Sequence, residues 1–175
     1  MGTEVRCGYA AIVGRPNVGK STLLNHLLRQ KISITSRKPQ TTRHRILGIT
    51  SNGHCQCVFV DTPGFHSGFN KTLNKLMNET VIRVINDVDI ILFLVERLTF
   101  NAEDEAVLTV LQKTDIPVLL VINKVDLVGD KSCLLPHIEK LAVKANFAEI
   151  IPLSALGGHN LVELERLVRQ YLPEG

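Results

Sequence analysis

The stretch from Tyr9 to Gln30, "YAAIVGRPNVGKSTLLNHLLRQ", decides the fold. Its first five residues, "YAAIV" (9–13), read as a buried strand. Its end has helical period, with Leu23, Leu24, Leu27 and Leu28 on one face. Between them, Gly14-Arg15-Pro16-Asn17-Val18-Gly19-Lys20-Ser21 matches G-x-x-x-x-G-K-[ST]. Glycines in that pattern permit a tight loop whose backbone N–H groups converge on phosphate oxygens. The helix start adds partial positive charge at the same point. The expected phosphate site is Gly14, Asn17, Val18, Gly19, Lys20, Ser21 and Thr22. In it Lys20 reaches the β- and γ-phosphates and the Ser21 hydroxyl ligates Mg²⁺.

Outward from this unit, apolar runs alternate with segments of helical length. "RILGIT" and "CQCVFV" flank Ser51-Asn52-Gly53, which predicts a hairpin. "KLMNETVIRVIND" reads as a helix, while residues 31–43 and "DTPGFHSGFN" read as loops. "VDIILFLVE", "IPVLLVINK" and "AEIIPLS" are three further buried strands, each followed by a helix-length segment. Continuous apolar strands alternating with helices require a mostly parallel sheet covered on both faces. The expected fold is an α/β P-loop NTPase, a small-GTPase-like three-layer domain with a six-stranded sheet, spanning residues 1–175. Ligands bind at the carboxyl ends of such strands, and the phosphate and base motifs of this chain all fall there.

Composition narrows the class. Hydrophobic residues are 45% and charged residues 21% of 175, which describes a folded domain rather than a disordered chain. A net charge of +3 is too small to imply nucleic acid by itself. Cys7, Cys55, Cys57 and Cys133 have no metal-ligand spacing, and Cys55-x-Cys57 would place two packing thiols on one strand face. The apolar runs are far shorter than the roughly 20 residues that span a bilayer. "MGTEVR" carries Arg6 where a myristoylation signal needs Ser or Thr. With no disulfide framework or signal peptide, the expected compartment is the cytoplasm.

Two stretches point to the base. "VINKVD" ends a strand with Asn123, Lys124 and Asp126. A carboxylate at Asp126 can accept from guanine N1–H and the 2-amino group together, whereas adenine would leave it poorly paired. The Lys124 stem can cover the base face, and Asn123 can tie this loop to the phosphate loop. In "PLSAL" (152–156), Ser154 would brace the last loop and the Ala155 N–H would point at guanine O6, with Leu156 beside them.

With these pieces in order, the chain resembles the translation-factor-like branch of the GTPases, and within it the Era family. The resemblance rests on "GRPNVGKSTLLN", "SRKPQTTRHRILGI", "VDTPGF", "INKVD" and "LSAL", and it covers essentially the whole chain. It implies that Asp61 holds Mg²⁺ through water and that the Gly64 N–H meets the γ-phosphate. It also implies that a threonine of "QTTR", Thr42 or alternatively Thr41, completes the Mg²⁺ shell in the GTP state. Era proteins continue into a KH domain that binds the 3′ end of small-subunit ribosomal RNA. The expectation is therefore the GTPase domain of a longer chain, with ribosomal RNA and the small subunit as partners mainly through that KH domain. A monomer, cytoplasmic or peripherally associated with the membrane at full length, is the state expected.

In Ras-like enzymes a glutamine follows the switch glycine and orients the attacking water; here Phe65 follows Gly64. GTPases of this branch include a class with a hydrophobic residue there, some of which use K⁺ as a finger held partly by a phosphate-loop asparagine. Asn17 has that position, and it is either a K⁺ ligand or a loop-stabilising amide. Phe65 is read as packing and His66 as a solvent-facing residue. Arg37, Lys38, Arg43, His44 and Arg45 make the first switch basic, for RNA contact or simply for solvent. The resemblance implies slow GTP hydrolysis in small-subunit assembly and 16S rRNA maturation. The alternatives are a sister ribosome-biogenesis or tRNA-modification GTPase, or a nucleotide-sensing module with little turnover.

Overall fold

The structure, a computed structural model, describes residues 4–29, 45–62 and 74–175. Along the chain it runs β1 (Arg6–Val13), α1 (Lys20–Arg29), β2 (Ile46–Asn52), β3 (Cys55–Val60), α2 (Asn74–Asn86) and β4 (Ile90–Glu96). It continues with α3 (Ala102–Leu111), β5 (Val118–Asn123), short 3₁₀ turns at Val125–Leu127 and Lys131–Cys133, α4 (Leu134–Ala142), β6 (Glu149–Pro152) and α5 (Leu161–Tyr171). The strands form one sheet of six in the order β2-β3-β1-β4-β5-β6. Every pairing is parallel except β2 with β3. That pair is the expected hairpin: Asn52 faces Cys55, and Gly53 turns the chain at φ 57°.

Side-chain alternation explains the three layers. Ile90, Leu92 and Leu94 of β4 join Leu23 and Leu27 of α1 and Leu161, Leu164, Leu167 and Val168 of α5 in one core. Ile91, Phe93 and Val95 point the other way, into a second core with Val81 and Ile85 of α2, Val107 and Leu108 of α3, and Leu141 of α4. A strand with helices over both faces reads as a near-continuous apolar run, and β4 is buried throughout, apolar from Ile90 to Val95 and ending in Glu96. Cys55 and Cys57 share the first core, as their spacing implied, and burial pushes the Cys57 thiol far above its ordinary pKa. None of the four cysteines is in a disulfide, and no cluster of metal-ligating side chains occurs among the described residues. No helix among them is long and apolar enough to cross a membrane.

The basic residues Arg37, Lys38, Arg43 and His44, the threonines Thr41 and Thr42, and Gly64, Phe65 and His66 lie outside the described residues. Arg45 is exposed just before β2 and accepts the Asp61 N–H on its carbonyl at 2.8 Å.

Candidate nucleotide site

The phosphate loop leaves β1 at the middle of the sheet, where β1 lies between β3 and β4. Two glycines in it are set by close approach. A Cβ on Gly14 would stand 2.7 Å from the Leu94 carbonyl, and one on Gly19 (φ 100°) would overlap the Asn123 carboxamide. Asn17 occupies the left-handed region at φ 66°, which asparagine tolerates better than most residues. Lys20 opens α1 and curls over the loop, donating to the Gly14 carbonyl at 2.6 Å and the Arg15 carbonyl at 2.9 Å. Burial, and then the charge of Arg15, lowers its pKa to about 8. The first turn of α1 has no acidic residue to offset its positive end.

Pro16, Asn17, Gly19, Lys20, Ser21, Thr22 and Lys124 line a cleft of about 490 Å³ here, within the range of small-molecule sites. Another hollow, about 460 Å³, opens at the amino ends of β5 and β6 and has no lysine or arginine in its lining. An anion is therefore served by the first. Asp61 directly follows β3, whose Val60 pairs with Ala11 of β1. Thr62 is buried and donates to the Ile12 carbonyl at 3.2 Å, which ties this loop to the strand feeding the phosphate loop.

Asn123 joins the phosphate loop to the base-reading loops. Its Nδ2 donates to the Val18 carbonyl at 2.9 Å, and its Oδ1 accepts the Ala155 N–H at 3.0 Å. The link expected between Asn123 and the phosphate loop is present. The Ala155 N–H, expected to face guanine O6, is directed at Asn123 here. A buried amide with an acceptor in reach forms that bond. Ser154, fully buried, braces its loop as expected: Oγ accepts the Gly157 N–H at 3.0 Å, and its backbone exchanges two bonds with His159. The Leu156 side chain is 77% exposed, so contact with a base would fall to its backbone. Asp126 is exposed within the Val125–Leu127 turn.

Lys124, left-handed at φ 60°, extends its ammonium to the Asn17 carbonyl and to Glu96 Oε2, both at 2.6 Å. Glu96 ends β4 and also accepts from Arg15 Nη2 at 2.9 Å. The Arg15 Nε faces both Asp104 oxygens at 3.1 Å. Asp104 in turn closes the capping box of α3, accepting the Asn101 N–H at 2.9 Å while Asn101 caps the helix start. Burial alone would raise the Glu96 pKa, but hydrogen bonds from Lys124 and Arg15 outweigh it and hold the carboxyl below its ordinary value. Burial raises the Asp104 pKa, opposed by Asn101 and Arg15. Every group meeting Asp104 is a donor, which suits the carboxylate.

Sequence reading did not single out Glu96, Asp104 or Thr62. Signals were present for the first two: a lone carboxylate terminates "IILFLVE", and Asn101 is followed three residues later by an acidic residue, a variant of the capping-box pattern. Arg15 had been only a variable position of the phosphate loop. Its guanidinium is occupied by two carboxylates, so the loop's own arginine is not a finger for a transferred phosphoryl group.

Residues 9–124 match the family described as 50S ribosome-binding GTPase. GTPase Era of Azotobacter vinelandii is 56% identical over 172 residues, 98% of this chain and 57% of that protein. GTPase Era of Pseudomonas aeruginosa is 54% identical over 169 residues, 97% of this chain and 55% of that protein. The chain thus spans a little over half the length of these curated relatives. Among solved structures, Era in complex with MgGDPNP and nucleotides 1506–1542 of 16S ribosomal RNA superposes with a TM-score of 0.79 at 41% identity, over 98% of this chain and 58% of that one. An Aquifex aeolicus Era variant bound to GDP·AlF4⁻ gives 0.78 at 41%, with the same coverage. The G domain of T. maritima FeoB gives 0.64 at 20% and shares the fold alone. From the phosphate loop to the asparagine bridge, the chain belongs to the 50S ribosome-binding GTPase family, and within it to the Era GTPases.

Proposed function

We propose that this domain binds GTP and GDP with Mg²⁺ and hydrolyses GTP slowly, as a switch. The observation that carries the reading is Asn123, which bonds the Val18 carbonyl with one side of its amide and the Ala155 N–H with the other. That bridge holds a phosphate-type loop and two base-reading loops in one frame, as a guanine nucleotide requires. Lys20 supplies positive charge at the β- and γ-phosphates once they replace its bonds to loop carbonyls. Asp126 reads N1–H and the 2-amino group.

Ser21, Asp61 and Thr42 offer hydroxyl and carboxylate oxygens, the donor set that suits Mg²⁺. The ion would neutralise charge on the phosphates when bound. The Gly64 N–H would meet the γ-phosphate, with Thr42 rather than Thr41 as its sensor. With Phe65 in place of glutamine and Arg15 committed to carboxylates, transition-state charge needs another partner. K⁺ at Asn17, whose side chain is exposed at the cleft, would serve. Single-turnover GTP hydrolysis in matched K⁺ and Na⁺ buffers tests this. We expect phosphate release to be faster in K⁺; equal rates remove K⁺, and no release in either buffer favours a nucleotide-sensing module.

The wider role proposed is coupling nucleotide state to ribosomal RNA in small-subunit assembly and 16S rRNA maturation. Its support is the likeness to the Era that was solved with GDPNP and 16S RNA. Competition binding with ATP tests the base reading: ATP in excess should fail to displace GDP.

A further inference from the structure

The nucleotide reading assigns no task to Glu96, yet this carboxylate sits between its two halves. Glu96 closes β4, and its side chain is 12% exposed. One oxygen accepts from Arg15 of the phosphate loop at 2.9 Å, the other from Lys124 of the base loop at 2.6 Å. Arg97 Nη2 reaches the Arg15-side oxygen only at 4.0 Å. Two cations that would repel each other are thus held on opposite oxygens of one anion. The same Lys124 ammonium holds the Asn17 carbonyl, and both residues are left-handed, a conformation that persists only where its surroundings enforce it.

We propose that Glu96 is a positioning residue for the guanine nucleotide, fixing Lys124 against the phosphate loop so that the base and phosphate loops close on the ligand as one unit. The inference rests on the nucleotide reading above and adds to it. Glu96 meets base and phosphate only through Lys124 and Arg15. Neutralised, it would leave the ammonium of Lys124, whose side chain is already 33% exposed, free to turn to water. The Asn17 carbonyl would lose its donor and the Lys124 stem its direction over the base. Bound nucleotide would then escape faster, while the reacting phosphate, held by Lys20 and the loop N–H groups, would be handled as before. A residue that only stabilised the fold would not divide release from chemistry in this way.

Glu96→Gln keeps the shape but presents one acceptor and one donor where two acceptors stood. Stopped-flow release of fluorescent GDP from the Mg²⁺-loaded protein should quicken about tenfold, the scale of one charged hydrogen bond. The single-turnover GTP rate should stay within about twofold. In a Lys124→Met background, Glu96→Gln should add less than about twofold to release, because its route through Lys124 is gone. Glu96→Asp, which keeps the charge but is too short to span both cations, should show a smaller acceleration, and it carries the comparison if the glutamine variant does not fold. Unchanged GDP release in Glu96→Gln, or an undiminished effect of it in the Lys124→Met background, overturns the proposal. Failure of the wild-type chain to bind GDP at all would instead overturn the nucleotide reading beneath it.

Discussion

Strand β1 has an arginine at each end, and the two are held very differently. Arg6, its first residue, pairs with Glu4 and Glu174, whose side chains are 65% and 70% exposed. It also donates to the Leu172 carbonyl at 3.0 Å, at the carboxyl end of α5. Arg15, two residues beyond the strand, pairs with Glu96 and Asp104, whose side chains are 12% and 0% exposed. Water screens the first pair of contacts and hardly reaches the second. Exposed ion pairs contribute about 0–1 kcal/mol, whereas breaking one buried partner costs roughly 3–5. Buried charge is costly to assemble, so the end that carries it is where geometry has to be fixed, and here that is the nucleotide end.

The sharpest way to break this contrast is Asp104→Asn. An amide cannot accept from Asn101 and Arg15 together without turning its NH₂ toward one of those donors. Removing the charge also leaves Arg15 with Glu96 alone. We expect a loss of about 3 kcal/mol, read as a fall in melting temperature of roughly 10 °C for a domain this size. A shift of under about 2 °C would put the two ends of β1 on the same footing.

Lys20 gives an effect of intermediate size, with a definite sign. Its folded pKa of about 8 lies below the ordinary 10.5, so without ligand the fold disfavours the ammonium. Stability of the ligand-free protein should therefore rise with pH between about 8 and 10.5, where the unfolded chain binds the extra proton. A phosphate at Lys20 reverses the preference. Binding then takes up a proton, and GDP affinity should fall by up to tenfold per pH unit above about 8. Calorimetry in buffers of different ionisation enthalpy would detect that uptake; no uptake near pH 9 would remove Lys20 from the phosphates.

How much of this contrast could be read from sequence follows from what periodicity encodes. Alternation and apolar runs specify which faces are buried, so "IILFLV" was legible as a strand covered on both sides and Ser51-Asn52-Gly53 as a hairpin turn. The G-x-x-x-x-G-K-S and N-K-x-D patterns are local, and Lys124 of the second lines the same cleft as Asn17, Gly19, Lys20 and Ser21 of the first. The pairing of Arg15 with Asp104 spans 89 positions, and that of Lys124 with Glu96 spans 28. No period relates such residues; the sheet order alone brings them together. The bond from the Ala155 N–H to Asn123 was hidden for the same reason, since only the packed loops bring the two within reach.

The smallest effect belongs to the exposed end. Arg6→Ala removes both ion pairs and the bonds to the carbonyls of Gln170, in the last turn of α5, and Leu172, just after it. The backbone still holds this junction, through Cys7 N–H to the Pro173 carbonyl at 3.2 Å and Gly175 N–H to the Val5 carbonyl at 2.9 Å. The expected cost is therefore about 1 kcal/mol or less, and the part due to ion pairs should vanish in 1 M salt, where the Debye length is about 3 Å. GDP release, governed from the opposite end of β1, should not change. A change in release on Arg6→Ala would mean that the strand transmits strain from one arginine to the other, and the two ends would then have to be treated as one coupled system.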